Sequence, residues 1–321
     1  MVYKPILIVA GEPNSIFSEI FFKSIKYKRY KSPIIIIASK KLIELQMRKL
    51  NVNKKIRQID FLDIEKYNFD NRKINLIDVK FDQKKPFKRI SNKSNAYIEK
   101  SFEIAIQILK KKITNKFING PISKKFFLKK KFLGITEYLA FKTKTKNFAM
   151  LIYNKELSVC PVTTHLPLKK VPKKINKNLI KTKVKLIDNF YKKCFKHRPK
   201  IAITGLNPHC ESTDDFNEDD KITKPTTKSL IKSNYRILGP FAADTIFLRK
   251  NRKKFNVIIG MYHDQVLTPI KTLFEYDAVN ITLGLPFIRI SPDHGPNESM
   301  LGKNKSNPKS LINALTFLDL R

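Results

Sequence analysis

Glycine, cysteine and acidic residues are all scarce in this chain, and long apolar runs are missing. Of 321 residues, nine are glycine and three are cysteine. Cys160, Cys194 and Cys210 are odd in number and have no metal-type spacing. That excludes a disulfide framework and favours a reduced, cytoplasmic setting. The longest apolar stretches, such as Pro33-Ile-Ile-Ile-Ile-Ala38, are far too short to span a bilayer, so no membrane partner is expected. The start, Lys4-Pro-Ile-Leu-Ile-Val-Ala10, is too short for a signal peptide and reads as a first strand entering a loop at Gly11. No Gly-x-Gly-x-x-Gly or Walker A string occurs, so Rossmann and P-loop sites are unsupported. Asp and Glu number 27 against 65 Lys and Arg, a net charge of +38. Such a charge raises nucleic acid as a partner. The cations are spread along the chain, however, and no aromatic-plus-basic module accompanies them. Lysine, isoleucine, asparagine and phenylalanine abound together, which reads as a biased coding background. No specific nucleic-acid function is expected, although the positive field favours anionic small substrates.

What is present suits a globular α/β protein. Hydrophobic residues make up 42% and aromatics 11%, and the length suits two lobes. Strand-like runs cover Ile6–Ala10, Pro33–Ala38, Phe117–Asn119, Ala149–Tyr153, Val159–Thr163, Ile201–Thr204, Val257–Met261 and Ala278–Thr282. Helical spacing covers Ala96–Lys111 and Asn178–Phe195, the latter with its lysines on a solvated face. Asp214 to Asp220 reads as an acidic surface loop, and Lys80–Asn95 as a linker or loop. Because glycine is rare, the survivors are expected to mark positive φ or close backbone approach.

Three histidines, His165, His209 and His263, each follow a β-branched run. Residues just past the carboxyl ends of strands line the edge where open α/β sheets bind ligands. Three imidazoles there could share a divalent metal; spacing alone equally allows three unrelated loop histidines. Lys271, Asn280 and Arg289 lie in or near a strand and the Gly284-Leu-Pro turn. They suit a phosphate or carboxylate, though in so basic a chain two cations near a strand are weak evidence.

Several ordered strings then resemble one family. They are Gly205-Leu-Asn-Pro-His209, Gly239-Pro-Phe-Ala-Ala-Asp244-Thr, Met261-Tyr-His263-Asp264-Gln265 with Pro269-Ile-Lys271, Asn280-Ile-Thr-Leu-Gly-Leu-Pro-Phe-Ile-Arg289, and Asp293-His294-Gly295. Together they resemble 4-hydroxythreonine-4-phosphate dehydrogenases of the pyridoxal phosphate pathway, from Gly11-Glu-Pro to about Lys303. The resemblance implies a two-lobed α/β/α fold like isocitrate and isopropylmalate dehydrogenases. Residues 1–130 with 270–321 would form the cofactor lobe and 131–269 the metal and dimer-interface lobe, with the active site in the cleft. It implies a divalent metal (Zn, Mg or Co) on His165, His209 and His263, the last reaching across from the partner of a homodimer. Substrate contacts would come from Thr136, Lys271, Asn280 and Arg289, and NAD or NADP contacts from His294 and Gly295. The implied reaction oxidises 4-phosphooxy-L-threonine to a β-keto acid that loses CO₂. Asp244 and Asp264 are candidates for orienting a histidine or transferring a proton.

The chain departs from that family in three places, the first being the loop after Gly11-Glu-Pro, which reads Asn14-Ser-Ile-Phe-Ser-Glu19 where the family is richer in glycine. Ile135 stands where the family has a substrate-contacting histidine, and Pro296-Asn-Glu-Ser-Met300 replaces a run of small residues beside the expected cofactor site. Two alternatives follow: a dehydrogenase for another four-carbon hydroxy-acid phosphate, or a non-catalytic basic binding protein on this scaffold.

Overall fold

Buried β-branched runs set the architecture. In the computed structural model, which describes residues 3–128, 131–213, 216–292 and 295–321, Ile34–Ala38 is buried at every position. A strand covered on both faces reads this way, as a continuous apolar run. The strands are β1 (Ile6–Val9), β2 (Ile34–Ala38), β3 (Ile56–Ile59), β4 (Ile74–Asp78), β5 (Lys116–Asn119) and β6 (Ala149–Tyr153). They continue as β7 (Ser158–Pro161), β8 (Ile201–Thr204), β9 (Ile237–Phe241), β10 (Val257–Gly260), β11 (Val279–Leu283) and β12 (Ile288–Ser291). The longer helices are α1 (Phe17–Tyr27), α2 (Lys40–Lys49), α3 (Asn95–Lys110), α4 (Ile135–Lys142), α5 (Lys177–Phe195), α6 (Lys224–Lys232), α7 (His263–Phe274) and α8 (Lys309–Asp319).

The chain divides into two compact units, Met1–Lys144 with Leu285–Arg321, and Thr145–Gly284, with changeovers later in the chain than 130 and 269. In the first unit the strands run parallel in the order β3-β4-β2-β1-β5-β12. Ile98, Phe102, Ala105 and Leu109 repeat at helical spacing along α3 and pack with Leu7, Val9, Ile35, Ile37 and Phe117. In the second unit the order is β11-β6-β7-β10-β8-β9. There β6 is antiparallel to both β11 and β7, whereas β7, β10, β8 and β9 run parallel. Its core gathers Ile152, Val159, Ala202, Ile258, Val266 and Ile270. The Asn176 side chain caps α5 by accepting from Leu179 N, and the helix stops at Lys196 in the left-handed region.

Of the two readings of Lys80–Asn95, linker or loop, the loop is the one observed up to the start of α3, and it is packed: Gln83 is buried and exchanges two hydrogen bonds with Asn14. The reading of the acidic stretch needs correction. Of Asp214–Asp220, Asp214 and Asp215 lie outside the described residues. Asp219 is fully buried and opens the helical turn Asp219–Thr223, so this part is no simple surface loop. Among the described residues no helix is long and apolar enough to cross a membrane.

The loops that follow β1 and β5 meet backbone to backbone. Glu12 N donates to the Pro121 carbonyl at 2.8 Å, and Gly11 has φ +77°, a region that favours glycine. A Cβ on Gly120 would overlap the Ala10 carbonyl and lie 2.9 Å from the Phe17 ring. Gly120→Ala is therefore expected to cost about 2 kcal/mol through overpacking, read as a lower urea midpoint. An unchanged midpoint would show that the two loops tolerate separation.

Candidate active site

Strand order brings the three histidines to one edge. β7, β10 and β8 are neighbours and parallel, and His165, His263 and His209 each follow one of them. The rings of His165 and His263, in the same chain, lie 5.6 Å apart between centroids and are tilted by 39°. His263 Nδ1 stands 2.6 Å from Asp264 Oδ1. In a neutral imidazole this pairing puts the proton on Nδ1 and leaves the Nε2 lone pair for a ligand. His209 is exposed in the turn Pro208–Cys210 with φ +53°.

Three residues not singled out from sequence hold this edge together. Thr163 donates from its backbone N–H and its Oγ1 to the Met261 carbonyl, joining the loops after β7 and β10. Gln265 Oε1 accepts from Met261 N at 2.7 Å and from Thr204 Oγ1 at 2.8 Å, while its Nε2 donates to the Gly205 carbonyl. It thereby ties β10 to β8. The buried Asp219 carboxylate accepts from the N–H groups of Leu206 and Asn207, fixing the loop that carries His209. Only Gln265 had a signal in the sequence, its place in the Met261–Gln265 string.

The donor chemistry of the pair suits a zinc- or cobalt-like ion better than magnesium, which prefers oxygen ligands. His165 and His263 fit two positions of such a site. His209 shares their edge, but among the described residues no three His, Cys, Asp or Glu side chains stand close enough together to hold a metal. The same unit carries Lys271 on α7, where partial burial pushes the ammonium below its usual range. Helical geometry puts it two turns beyond His263 and near the same face. Asn280, on β11 opposite Ile152, keeps its Oδ1 buried without a hydrogen-bond partner. Asp244 is exposed in the turn Ala243–Ile246. Nothing among the described residues joins it to a histidine by a hydrogen bond or ion pair.

The first unit builds a separate polar cluster around Arg289. This side chain is fully buried on β12. Its Nε donates to Asn119 Oδ1 at 2.7 Å and its Nη1 to Thr136 Oγ1 at 3.1 Å. Burial pushes the guanidinium down to about 9, opposed by Glu137. Thr136 is buried in the first turn of α4 beside Ile135, whose side chain packs on the apolar core. Burial raises the Glu12 carboxyl above its usual range, and the nearby Glu298 raises it further. Hydrogen bonds from Asn14 N and Ser94 Oγ act the other way.

His294 lies outside the described residues. Gly295 is exposed, and among the described residues a Cβ there would meet nothing within 4 Å. The following segment is anchored: the Pro296 carbonyl accepts from Ile16 N at 3.1 Å, and Glu298 Oε1 from Ile90 N at 2.6 Å.

Comparison with known proteins meets this geometry. Residues 29–318 match the family described as Pyridoxal phosphate biosynthetic protein PdxA. A 4-hydroxythreonine-4-phosphate dehydrogenase of Sulfurihydrogenibium sp. (strain YO3AOP1) is 38% identical over 96% of this chain and 95% of its own length. One from Aquifex aeolicus (strain VF5) is 33% identical over 98% of both. A D-threonate 4-phosphate dehydrogenase of Pectobacterium atrosepticum is 36% identical over 56% of this chain and 55% of its own length. Among solved structures, the 4-hydroxythreonine-4-phosphate dehydrogenase from Klebsiella pneumoniae superposes with TM-score 0.85 at 26% identity, over 99% of this chain and 100% of that one. A β-decarboxylating dehydrogenase from Thermococcus kodakarensis, at TM-score 0.50 and 10% identity over 98% of this chain and 82% of that one, shares the fold alone. The expected fold relationship is thus met, and the named relatives support a dehydrogenase. The chain belongs to the PdxA family of pyridoxal phosphate biosynthetic proteins.

Proposed function

We propose that this chain is a metal-dependent NAD(P) oxidoreductase. It would oxidise the secondary alcohol of 4-phosphooxy-L-threonine to a β-keto acid, which loses CO₂ to give 3-amino-2-oxopropyl phosphate. The observation that carries this reading is the delivery of three histidines to one strand edge, two of them with adjacent rings.

His165, His209 and His263 would hold the metal, the set being completed across the interface of a homodimer. A divalent ion there supplies polarisation of the substrate hydroxyl, and NAD(P) supplies the hydride acceptor. Asp264 is assigned to His263 and not to proton transfer, since its Oδ1 is already engaged by that ring. Lys271 offers a partly desolvated cation to an anionic group, and Asn280 Oδ1 a buried acceptor to a substrate donor such as the amino group. Arg289, aligned by Asn119 and Thr136, offers a second cation whose orientation is set before substrate arrives.

A second substrate merits the same assay. Ile135 packs into the core where the family histidine would touch substrate, and one relative is named for D-threonate 4-phosphate. That compound carries a hydroxyl in place of the amino group.

With purified protein and 4-phosphooxy-L-threonine, NADH or NADPH formation is expected, abolished by a chelator and restored by zinc or cobalt. No reduced cofactor with metal restored would overturn the proposal; faster turnover of D-threonate 4-phosphate would transfer it to the second substrate. Asp264→Asn should weaken metal affinity by about 10- to 100-fold without unfolding the protein, measured by titration calorimetry. Unchanged affinity would remove His263 from the metal site. Arg289→Lys cannot keep both hydrogen bonds and should lower kcat/KM by about 100-fold, with a stability loss of roughly 3 kcal/mol. A fall in stability alone, with kcat/KM preserved, would make Arg289 purely structural.

A further inference from the structure

The first unit carries a concavity at the opposite end of its sheet from Gly11 and Asn119. It lies where α1 ends and where β2 and β4 begin, and it has a volume of about 710 Å³. Seven of its sixteen lining residues are Lys or Arg, against about one residue in five for the chain. The single acid there, Asp70, is already spent: its Oδ2 lies 3.1 Å from Arg57 and 3.2 Å from Arg72. Lys26, Lys28, Arg29, Lys31, Lys54 and Lys73 therefore face one hollow, and none of them has an acidic partner among the described residues. They come from three separate segments, so only the fold gathers them. Like charges around a low-dielectric hollow repel one another and focus a positive potential into it.

A neighbouring cavity of about 590 Å³ shares Ile25, Lys26 and Lys54 with the first. Its character is different. Phe22, Leu50 and Val52 supply apolar surface, and Asn51, Asn53 and Asn304 supply amides. Its acid, Glu19, is buried and paired with Lys23 at 2.9 Å. One hollow thus suits a chain of phosphates. The other suits a flat heterocycle with hydrogen-bonding edges, on the same principle by which asparagine reads a base. Both volumes lie in the range of small-molecule sites.

We propose that these adjoining hollows form one site for a nucleoside polyphosphate, with its phosphates among the six cations and its base against the asparagines. The site is independent of the histidine edge and of the oxidoreductase reading.

Titration calorimetry on the whole protein, at about 0.15 M salt to screen loose surface attraction and with NAD at high concentration to occupy any dinucleotide site, tests this. ATP is expected to bind once per chain, about tenfold more tightly than inorganic tripolyphosphate. Lys26→Gln and Lys54→Gln, which alter the shared wall, should each weaken ATP by about tenfold, the worth of one charge-assisted contact. Both variants should leave dehydrogenase turnover unchanged. The proposal is overturned if ATP shows no saturable binding, or if both variants bind it as the parent does. Tripolyphosphate binding as tightly as ATP would also overturn it, as would an oligouridylate binding in preference to the mononucleotide.

Discussion

The side-chain amide of Gln265 holds the histidine edge in place. It accepts from the end of β10 and from Thr204 on β8, and donates to Gly205 just beyond. Thr163 makes the matching link between the ends of β7 and β10. Parallel strands leave their last carbonyls and N–H groups without ladder partners, and buried polar groups of that kind must be satisfied somewhere. Here the satisfaction comes from side chains inside the same loops that carry His165, His209 and His263. The bonds that complete the sheet also fix the backbone from which the imidazoles project. A change at Gln265 would disturb the spacing of two strand ends before it touched any histidine.

The Arg289 cluster works by the same economy on a different sheet. A buried guanidinium is tolerable only with fixed partners, and Asn119 and Thr136 supply them from the end of β5 and the start of α4. The charge is thus kept while its freedom to rotate is lost. Ile135 beside it packs on the apolar core. The first turn of α4 therefore meets Arg289 through Thr136, with the Glu137 charge close by, while Ile135 turns to the core.

Much of this was legible in the amino-acid order. The eight long β-branched runs all form strands, because a strand buried on both faces must be apolar at successive positions. β3, β4, β9 and β12 escape notice since Arg57, Asn75, Pro240 and Arg289 interrupt them; their burial comes from neighbours that a local pattern does not report. The histidines could be placed after strands, but their arrival at one edge depends on β10 lying between β7 and β8, a property of topology. Scarcity made glycine informative at Gly11 and Gly120, where backbone meets backbone, and less so at Gly295, where none of the described residues crowds the missing side chain. Asp219 hid within an acidic string whose composition resembles a solvated loop, while its buried carboxylate accepts from two N–H groups of the loop after β8. The six cations gathered around the basic hollow were invisible for the opposite reason, since lysine is everywhere.

That imbalance of charge bears on how the chain tolerates change. Among the described residues the buried acids are Glu12, Glu19, Asp188, Asp219 and Asp319, whereas the buried bases are Lys116, Lys183 and Arg289. The whole chain has 27 acids and 65 bases. Acids are thus the rarer kind and yet the more often internal, each occupied with backbone N–H groups or a cation. Drift that adds or removes a lysine falls mostly on solvated surface, where a change in charge costs little. Drift that removes an aspartate or glutamate falls far more often on a residue that holds a loop or a helix end. Sequence variation in such a lineage should accumulate unevenly, with its few carboxylates the slowest positions to move.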